Sequence, residues 1–361
     1  MKKIIFIGGL NHPRTIKRIT TFYNYGFDVV VYGYDRQRFQ NVNSIPDKIE
    51  AHKLGTAIDG GGYIRKLFSL MASIRKICKK YNDEEVSYYS FGFISSLLLY
   101  FLTSKPYIYE ISDIIYANFN NKYIRSILRY IDRKVIRGSH LTLMTSKGFE
   151  EWLFPKNPPQ NIIIQPNKMN SYFHSIERKA KHISDNINFA FIGWLRYPNT
   201  IFRFAKIIGE SYPKHSFHFY GDSDYRDQAA ALANQYNNIY FHGKFKNPED
   251  LEKIYNSIDV VIACYDTSTI NERIAEPNKL YEAMFFCKPI VVSPNIFLAK
   301  QVEHYGCGLT LDASSDENIT SFLDCLEVNK LNKIVKTCLS VDKEELIDNP
   351  NILVQRVTKE E

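Results

Sequence analysis

Short β-branched and aromatic runs alternate with segments of helical period along this chain, and the series runs twice. The first opens with Lys3-Ile4-Ile5-Phe6-Ile7-Gly8, a helical segment to about Tyr25, and Asp28-Val29-Val30-Val31-Tyr32-Gly33. Strand candidates follow at Val86 to Tyr89, Tyr107 to Ile111, Leu141 to Thr145 and Ile162 to Gln165, with helices near 63–81, 93–103 and 121–137. Strands separated by helices pair in parallel, and a parallel sheet needs helices on both faces. The pattern breaks across Pro155-Lys156-Asn157-Pro158-Pro159 and the polar stretch Ser175 to Asn186, where a linker belongs, and then restarts. Three strands of the second series end in glycine, at Gly193, Gly221 and Gly243, and Ile258 to Ala263, Pro289 to Ser293 and Gly308 to Asp312 continue it. The expectation is two doubly wound α/β domains, 1–165 and 166–344, with a tail of about 345–361 packing back on the first. Ligands of such an architecture bind in the cleft between the carboxyl ends of the strands.

A length of 361 residues suits two cores rather than one, and 45% hydrophobic with 24% charged residues excludes a disordered chain. The longest apolar stretch, Phe93 to Leu102, is half the ~20 residues a membrane span needs. Met1-Lys2-Lys3 and the run broken by Gly8-Gly9 make no signal peptide, so a cytoplasmic location is expected. Six scattered cysteines read as reduced thiols rather than a zinc site or a disulfide framework. Residues 1–150 carry 23 Lys and Arg against 12 Asp and Glu, and the rest carry 23 against 27. A first half at +11 suggests an anionic partner, nucleic acid or an acidic membrane surface, or simply solvated helix faces.

Gly8 and Gly9, between the first strand and helix, permit close backbone approach to a phosphate, although they make no dinucleotide fingerprint and also suit a plain turn. Asp222-Ser223-Asp224 reads either as a turn or as a metal-holding DxD triplet. The densest stretch is Glu276-Pro277-Asn278-Lys279-Leu280-Tyr281-Glu282-Ala283-Met284. Pro277 at a helix start directs the amides of Asn278, Lys279 and Leu280 outward as an anion site, with Lys279 adding charge. Glu282, one turn on, could accept hydrogen bonds from a ribose diol, or be a surface glutamate of a capped helix.

The run Pro277 to Met284, followed by Lys288-Pro289-Ile290-Val291, resembles the helix motif and following strand of the donor domain in retaining glycosyltransferases of the GT-B fold, family 4. Tyr107-Ile108-Tyr109-Glu110-Ile111-Ser112-Asp113 and Ser146-Lys147-Gly148-Phe149-Glu150 resemble N-domain segments of the bacterial surface-polysaccharide members, and Gly193 with Arg196 resembles the family's donor loop. The resemblance implies two Rossmann-like domains facing across a cleft, acceptor on the first and nucleotide-sugar donor on the second. It implies retaining transfer without a metal or other cofactor, from a UDP-sugar by family frequency, to a saccharide or lipid-linked saccharide in capsule or other surface-polysaccharide synthesis. The chain departs from the family pattern in three places. Ile274 stands where the first of two paired glutamates would be, making Glu276 the nearest candidate. Ile201 replaces a loop lysine, so Lys279 would join Arg196 at the diphosphate. The N-domain histidine is missing, and Asp113 or Glu110 is the implied substitute.

In the segment 121–137, Lys122, Arg125, Arg129, Arg133 and Arg137 recur beside Ile124, Ile127, Leu128, Ile131 and Val135. Near 63–81, Arg65, Lys66, Arg75, Lys76, Lys79 and Lys80 accompany Ile64, Leu67, Phe68, Met71, Ile74 and Ile77. The spacing predicts apolar faces turned to the core and basic faces turned outward, where they could rest on anionic lipid at the inner face of a membrane. Three other readings remain: a metal-dependent sugar transferase using Asp222 and Asp224, a catalytically inactive subunit that holds a nucleotide sugar, and a nucleic-acid binder. The last has no motif beyond charge, and no nucleic-acid partner is expected.

Overall fold

A computed structural model describes residues 3–36, 45–57 and 63–358. The chain divides into two compact units, Met1–Gln165 with Asn349–Glu361, and Pro166–Asp348. The first contains strands β1 (Lys3–Gly9), β2 (Asp28–Arg36), β3 (Glu50–Ala57), β4 (Val86–Phe91), β5 (Tyr107–Ile111), β6 (Leu141–Met144) and β7 (Ile162–Ile164). They form one parallel sheet in the order β3-β2-β1-β4-β5-β6-β7. The order reverses between β1 and β4, as a doubly wound sheet requires. Near-continuous apolar runs explain the burial of both faces: Ile4, Ile5 and Phe6 are fully buried, and helix Asn351–Thr358 adds Leu353, Val354 and Val357 to the core on the face of Ile4 and Phe6.

The second unit contains β8 (Asn188–Ile192), β9 (Ser216–Tyr220), β10 (Ile239–Gly243), β11 (Val260–Ala263), β12 (Ile290–Val292) and β13 (Gly308–Thr310), again all parallel, in the order β10-β9-β8-β11-β12-β13. Its switch point lies between β8 and β11. The polar stretch Ser175 to Asn186 packs on this unit: Ile183 is buried, and the Arg178 guanidinium donates to the carbonyls of Phe285 (3.1 Å), Met284 (2.9 Å), Cys338 and Val341. Arg178 thereby supplies further donors to carbonyls at the ends of two helices, where the intrahelical ladder runs out. All six cysteines are free thiols, and Cys325 alone is exposed.

The helices of the first unit overturn one expectation. Leu67, Phe68 and Met71 of helix Tyr63–Lys80, and Ile124 and Ile127 of helix Lys122–Gly138, are exposed, whereas Ile74, Ile77 and Val135 are buried. The side chains of Ile64, Arg65 and Lys66 lie outside the described residues. Arg75, Lys76, Lys79 and Lys80 of Tyr63–Lys80 are exposed as expected, whereas the basic stripe of Lys122–Gly138 is largely engaged. Arg125 donates to the Phe119 carbonyl (3.2 Å), Arg129 and Arg133 to those of Trp152 and Leu153, and Arg129, Arg133 and Arg137 lie over the rings of Trp152 and Phe154. Guanidinium groups that can stack and donate to carbonyls cover aromatic surface, and the apolar side chains one position away are turned outward.

Candidate functional site

The carboxyl ends of β8, β9 and β10 carry glycines, and Gly193, after β8, borders the switch point. The Gly193 amide donates to the Tyr220 carbonyl (2.8 Å), and the Gly221 amide donates to that of Gly243 (2.8 Å). Gly193 has φ +125° and Gly221 φ +136°, and a Cβ on Gly221 would lie 1.7 Å from the Gly193 oxygen. Only glycine allows both the φ and the approach. A Cβ on Gly193 would meet the Lys279 ammonium at 2.9 Å, so the absent side chain is what admits that cation to the turn.

Beyond Gly193 the loop is fixed by its own packing. Leu195 is buried, Tyr197 is left-handed (φ +67°) and stacks on Tyr265 just past β11 (centroids 4.8 Å apart), and a π-helical turn runs over Pro198–Phe202. The Thr200 hydroxyl donates to the Cys264 carbonyl (2.6 Å), tying the turn to the end of β11. Arg196 is left exposed at the loop surface.

The short helix Lys279–Phe285 brings the remaining groups. Lys279 is half-buried, its ammonium 5.1 Å from the Phe191 ring centroid and 6.0 Å from that of Tyr265. Burial lowers its pKa; Glu282 opposes this and Arg196 adds to it, which places both charges in its electrostatic neighbourhood. Glu282 is buried, accepting from the Tyr255 hydroxyl (2.8 Å) and the Asn278 amide, and burial raises its pKa against those donors and Lys279. Tyr255, stacked on Phe286 at 4.7 Å, anchors one carboxylate oxygen from the core side. Tyr255 was not singled out from the sequence, where nothing distinguishes it from a core tyrosine.

Glu276 is also buried and raised in pKa by burial, and it accepts from the Tyr281 hydroxyl. The Leu280 side chain belongs to the core, and its amide donates to the Pro277 carbonyl (3.3 Å), so it is used within the turn. Asp222 accepts from the Ser223 amide (2.9 Å) and lies 3.3 Å from the Lys244 ammonium, while Asp224 is exposed. Among the described residues no three His, Cys, Asp or Glu side chains come together as metal ligands.

In the first unit, Gly8 is shaped by packing: a Cβ there would lie 2.7 Å from the Phe91 ring, and one on Gly33 would lie 2.3 Å from the Gly8 oxygen. Gly9 ends β1, its carbonyl accepting from the His12 amide (3.4 Å). Glu110 is buried and holds three donors: the Arg18 Nε at 3.1 Å, the Tyr89 hydroxyl, and, as an ion pair, the Arg14 Nε at 3.8 Å. Burial lowers the Arg14 pKa while Glu110 and then Asp113 oppose it, so Asp113, itself exposed, completes a group of two cations and two anions. Sequence reading missed Arg14 and Arg18. Their i, i+4 spacing immediately after the glycine turn was the available signal.

A family model described as Glycosyl transferases group 1 matches residues 174–335, a segment containing Gly193, Arg196, Lys279 and Glu282. Solved structures resemble nearly the whole chain, among them the following three. HepE from Anabaena, in complex with UDP-glucose, has 13% identity and a TM-score of 0.69, covering 99% of this chain and 98% of its own. Sucrose-phosphate synthase from Thermosynechococcus elongatus also has 13% identity and a TM-score of 0.69, with 98% and 97% covered. UDP-GlcNAc 2-epimerase from Neisseria meningitidis, bound to UDP-GlcNAc, has 14% identity and a TM-score of 0.65, with 99% and 100% covered. No curated protein matches the sequence. At these identities the likenesses show the fold, a two-domain Rossmann-like GT-B architecture. The matched model supports a glycosyltransferase as the class of enzyme.

Proposed function

We propose that this chain is a retaining, metal-independent glycosyltransferase of family 4 type that takes its sugar from a UDP-sugar bound by the second unit. The observation that carries the reading is the Lys279 ammonium seated against the Gly193 turn, within the segment matched by the glycosyl transferases group 1 model. Cleavage of the bond from anomeric carbon to phosphate oxygen builds negative charge on the departing diphosphate. Lys279 and Arg196 supply positive charge there, and Lys279 supplies it from a poorly solvated position where its field is strong. Glu282, held by Tyr255, offers its other oxygen to the ribose diol once the Asn278 amide yields it. Glu276 approaches the sugar, and Gly8 and Gly9 are further donor-binding candidates.

The acceptor is a saccharide or lipid-linked saccharide in cell-surface polysaccharide synthesis, and the first unit binds it in the cytoplasm, at an anionic membrane surface when it is lipid-linked. Asp113 handles the acceptor hydroxyl, and Glu110 positions Arg14 and Arg18 beside it. Calorimetric titration with UDP, UDP-glucose and UDP-GlcNAc, with and without EDTA, tests the donor. Saturable binding of one UDP-sugar that survives EDTA is expected, with thermal stabilisation of about 2.7 kcal/mol at a hundredfold excess over Kd. Absence of binding by any nucleotide sugar overturns the reading. NMR of the anomeric proton in the transfer product tests retention.

A further inference from the structure

The outer faces of three neighbouring helices of the first unit, Tyr63–Lys80, Phe93–Leu102 and Lys122–Gly138, together with the turn Ile115–Asn118, carry large apolar side chains out to solvent. Phe68 is 61% exposed, Phe101 71%, Ile115 62%, Tyr123 70%, Ile127 59% and Tyr130 60%. An isolated exposed apolar residue is ordinary, but six of this size on adjoining elements are not. Phe93–Leu102 contains no charged residue, Tyr63–Lys80 no acid, and Lys122–Gly138 only Asp132, which is buried. Among the described residues, the exposed charges on these helices are all cations: Arg75, Lys76, Lys79, Lys80, Lys122, Lys134 and Arg137.

We infer that this face docks on an anionic lipid bilayer, with the apolar side chains entering the boundary between headgroups and acyl chains and the lysines and arginines meeting the lipid phosphates. The charge pattern selects the occupant. A second copy would bring the same cations against themselves. An anionic bilayer offers both what the exposed aromatics require and what the lysines require, since rings with a polar tip favour that boundary. The structure makes the apolar groups the anchor, because Arg125, Arg129 and Arg133 are already committed to carbonyls within the unit. This adds a membrane docking face to the function proposed above. The vesicle assay needs no nucleotide, so either proposal can fail alone.

The test is co-sedimentation of the full chain with vesicles of phosphatidylcholine, and of phosphatidylcholine mixed with phosphatidylglycerol, at low and high salt. Binding to the anionic vesicles is expected, reduced at high salt but still above that to phosphatidylcholine. Phe101→Ser with Tyr123→Ser and Ile127→Ser should lower the partition coefficient roughly a hundredfold or more at an unchanged melting temperature. Phe68→Ser with Ile115→Ser, on separate elements, should reproduce the loss if the triple variant folds poorly. Three results overturn the proposal: no binding of the wild type to anionic vesicles, variants that bind like the wild type, or lipid-free self-association that the same substitutions abolish while vesicles remain unbound.

Discussion

Two buried carboxylates, Glu110 in the first unit and Glu282 in the second, each lie in a doubly wound sheet unit, with opposite surroundings. Glu110, on β5, faces two guanidinium groups of helix Pro13–Asn24, and Asp113 adds a second carboxylate beside Arg14. Glu282 is held by two neutral donors, Tyr255 and Asn278, while the nearby Lys279 ammonium is turned toward the Gly193 loop. A buried cation matched by a carboxylate within the unit has little charge left to offer a ligand. A half-buried cation whose neighbouring acid is satisfied by neutral groups retains most of its field. The first arrangement therefore positions, and the second is suited to meet an anion.

Three substitutions would break this contrast, in falling order of effect. Glu110→Gln leaves Arg18, only 2% exposed, without its counter-charge. A loss of about 3–5 kcal/mol in unfolding free energy is expected, read as a lower denaturant midpoint, with nucleotide binding by the folded remainder unchanged. Lys279→Ala should do the reverse. Removing a desolvated cation costs little stability, but turnover should fall about 10²–10³-fold, or roughly 2.7–4 kcal/mol, if the group meets the leaving diphosphate. Steady-state kinetics beside a melting curve decides this, and a large stability loss with normal turnover would invert the comparison. Glu282→Gln keeps shape and the Tyr255 contact but loses charge. Donor affinity should weaken by about 1.5–3 kcal/mol, measured by calorimetry.

The doubly wound architecture was legible because each buried strand is a short apolar run and each helix a periodic one. β5 begins and ends where the sequence pattern places it, at Tyr107 and Ile111. β3 was not legible. Glu50-Ala51-His52-Lys53-Leu54-Gly55-Thr56-Ala57 is an edge strand with one neighbour, and its polar composition carries no buried signature. The densest motif was read correctly as a short helix, but burial of Glu282 against Tyr255 was not, since a partner 27 positions away leaves no local trace. The orientation of helix Lys122–Gly138 misled for a related reason. Arginine and isoleucine recur at the same period, and which stripe faces inward depends on Trp152, Leu153 and Phe154, whose contacts with the arginines no single-helix pattern reveals.

Asp132 sharpens the comparison because its donors are neutral and no cation contributes to its shift. It is buried and accepts from the hydroxyls of Tyr109 (3.1 Å) and Tyr116 (2.6 Å), and burial pushes its pKa up to about 7 in spite of both. An unfolded aspartate ionises near pH 4. Between about pH 4 and 7 the unfolded chain has therefore lost a proton that the native state retains, so stability falls as pH rises through this window and levels off above it. For one proton the slope is at most about 1.4 kcal/mol per pH unit, or about 4 kcal/mol across the window. Asp132→Asn removes the linkage and keeps an acceptor for the tyrosines. Its amide hydrogens, however, enter a site built from donors, at a cost of about 1–3 kcal/mol. The variant should consequently be less stable than the wild type at pH 4 and more stable at pH 7.5, with a net gain there on the order of 1 kcal/mol. Urea titrations of both proteins at the two pH values measure the crossover. Parallel stability profiles would show that Asp132 ionises normally in the native state, and that neutral donors alone hold a buried carboxylate as well as arginines do.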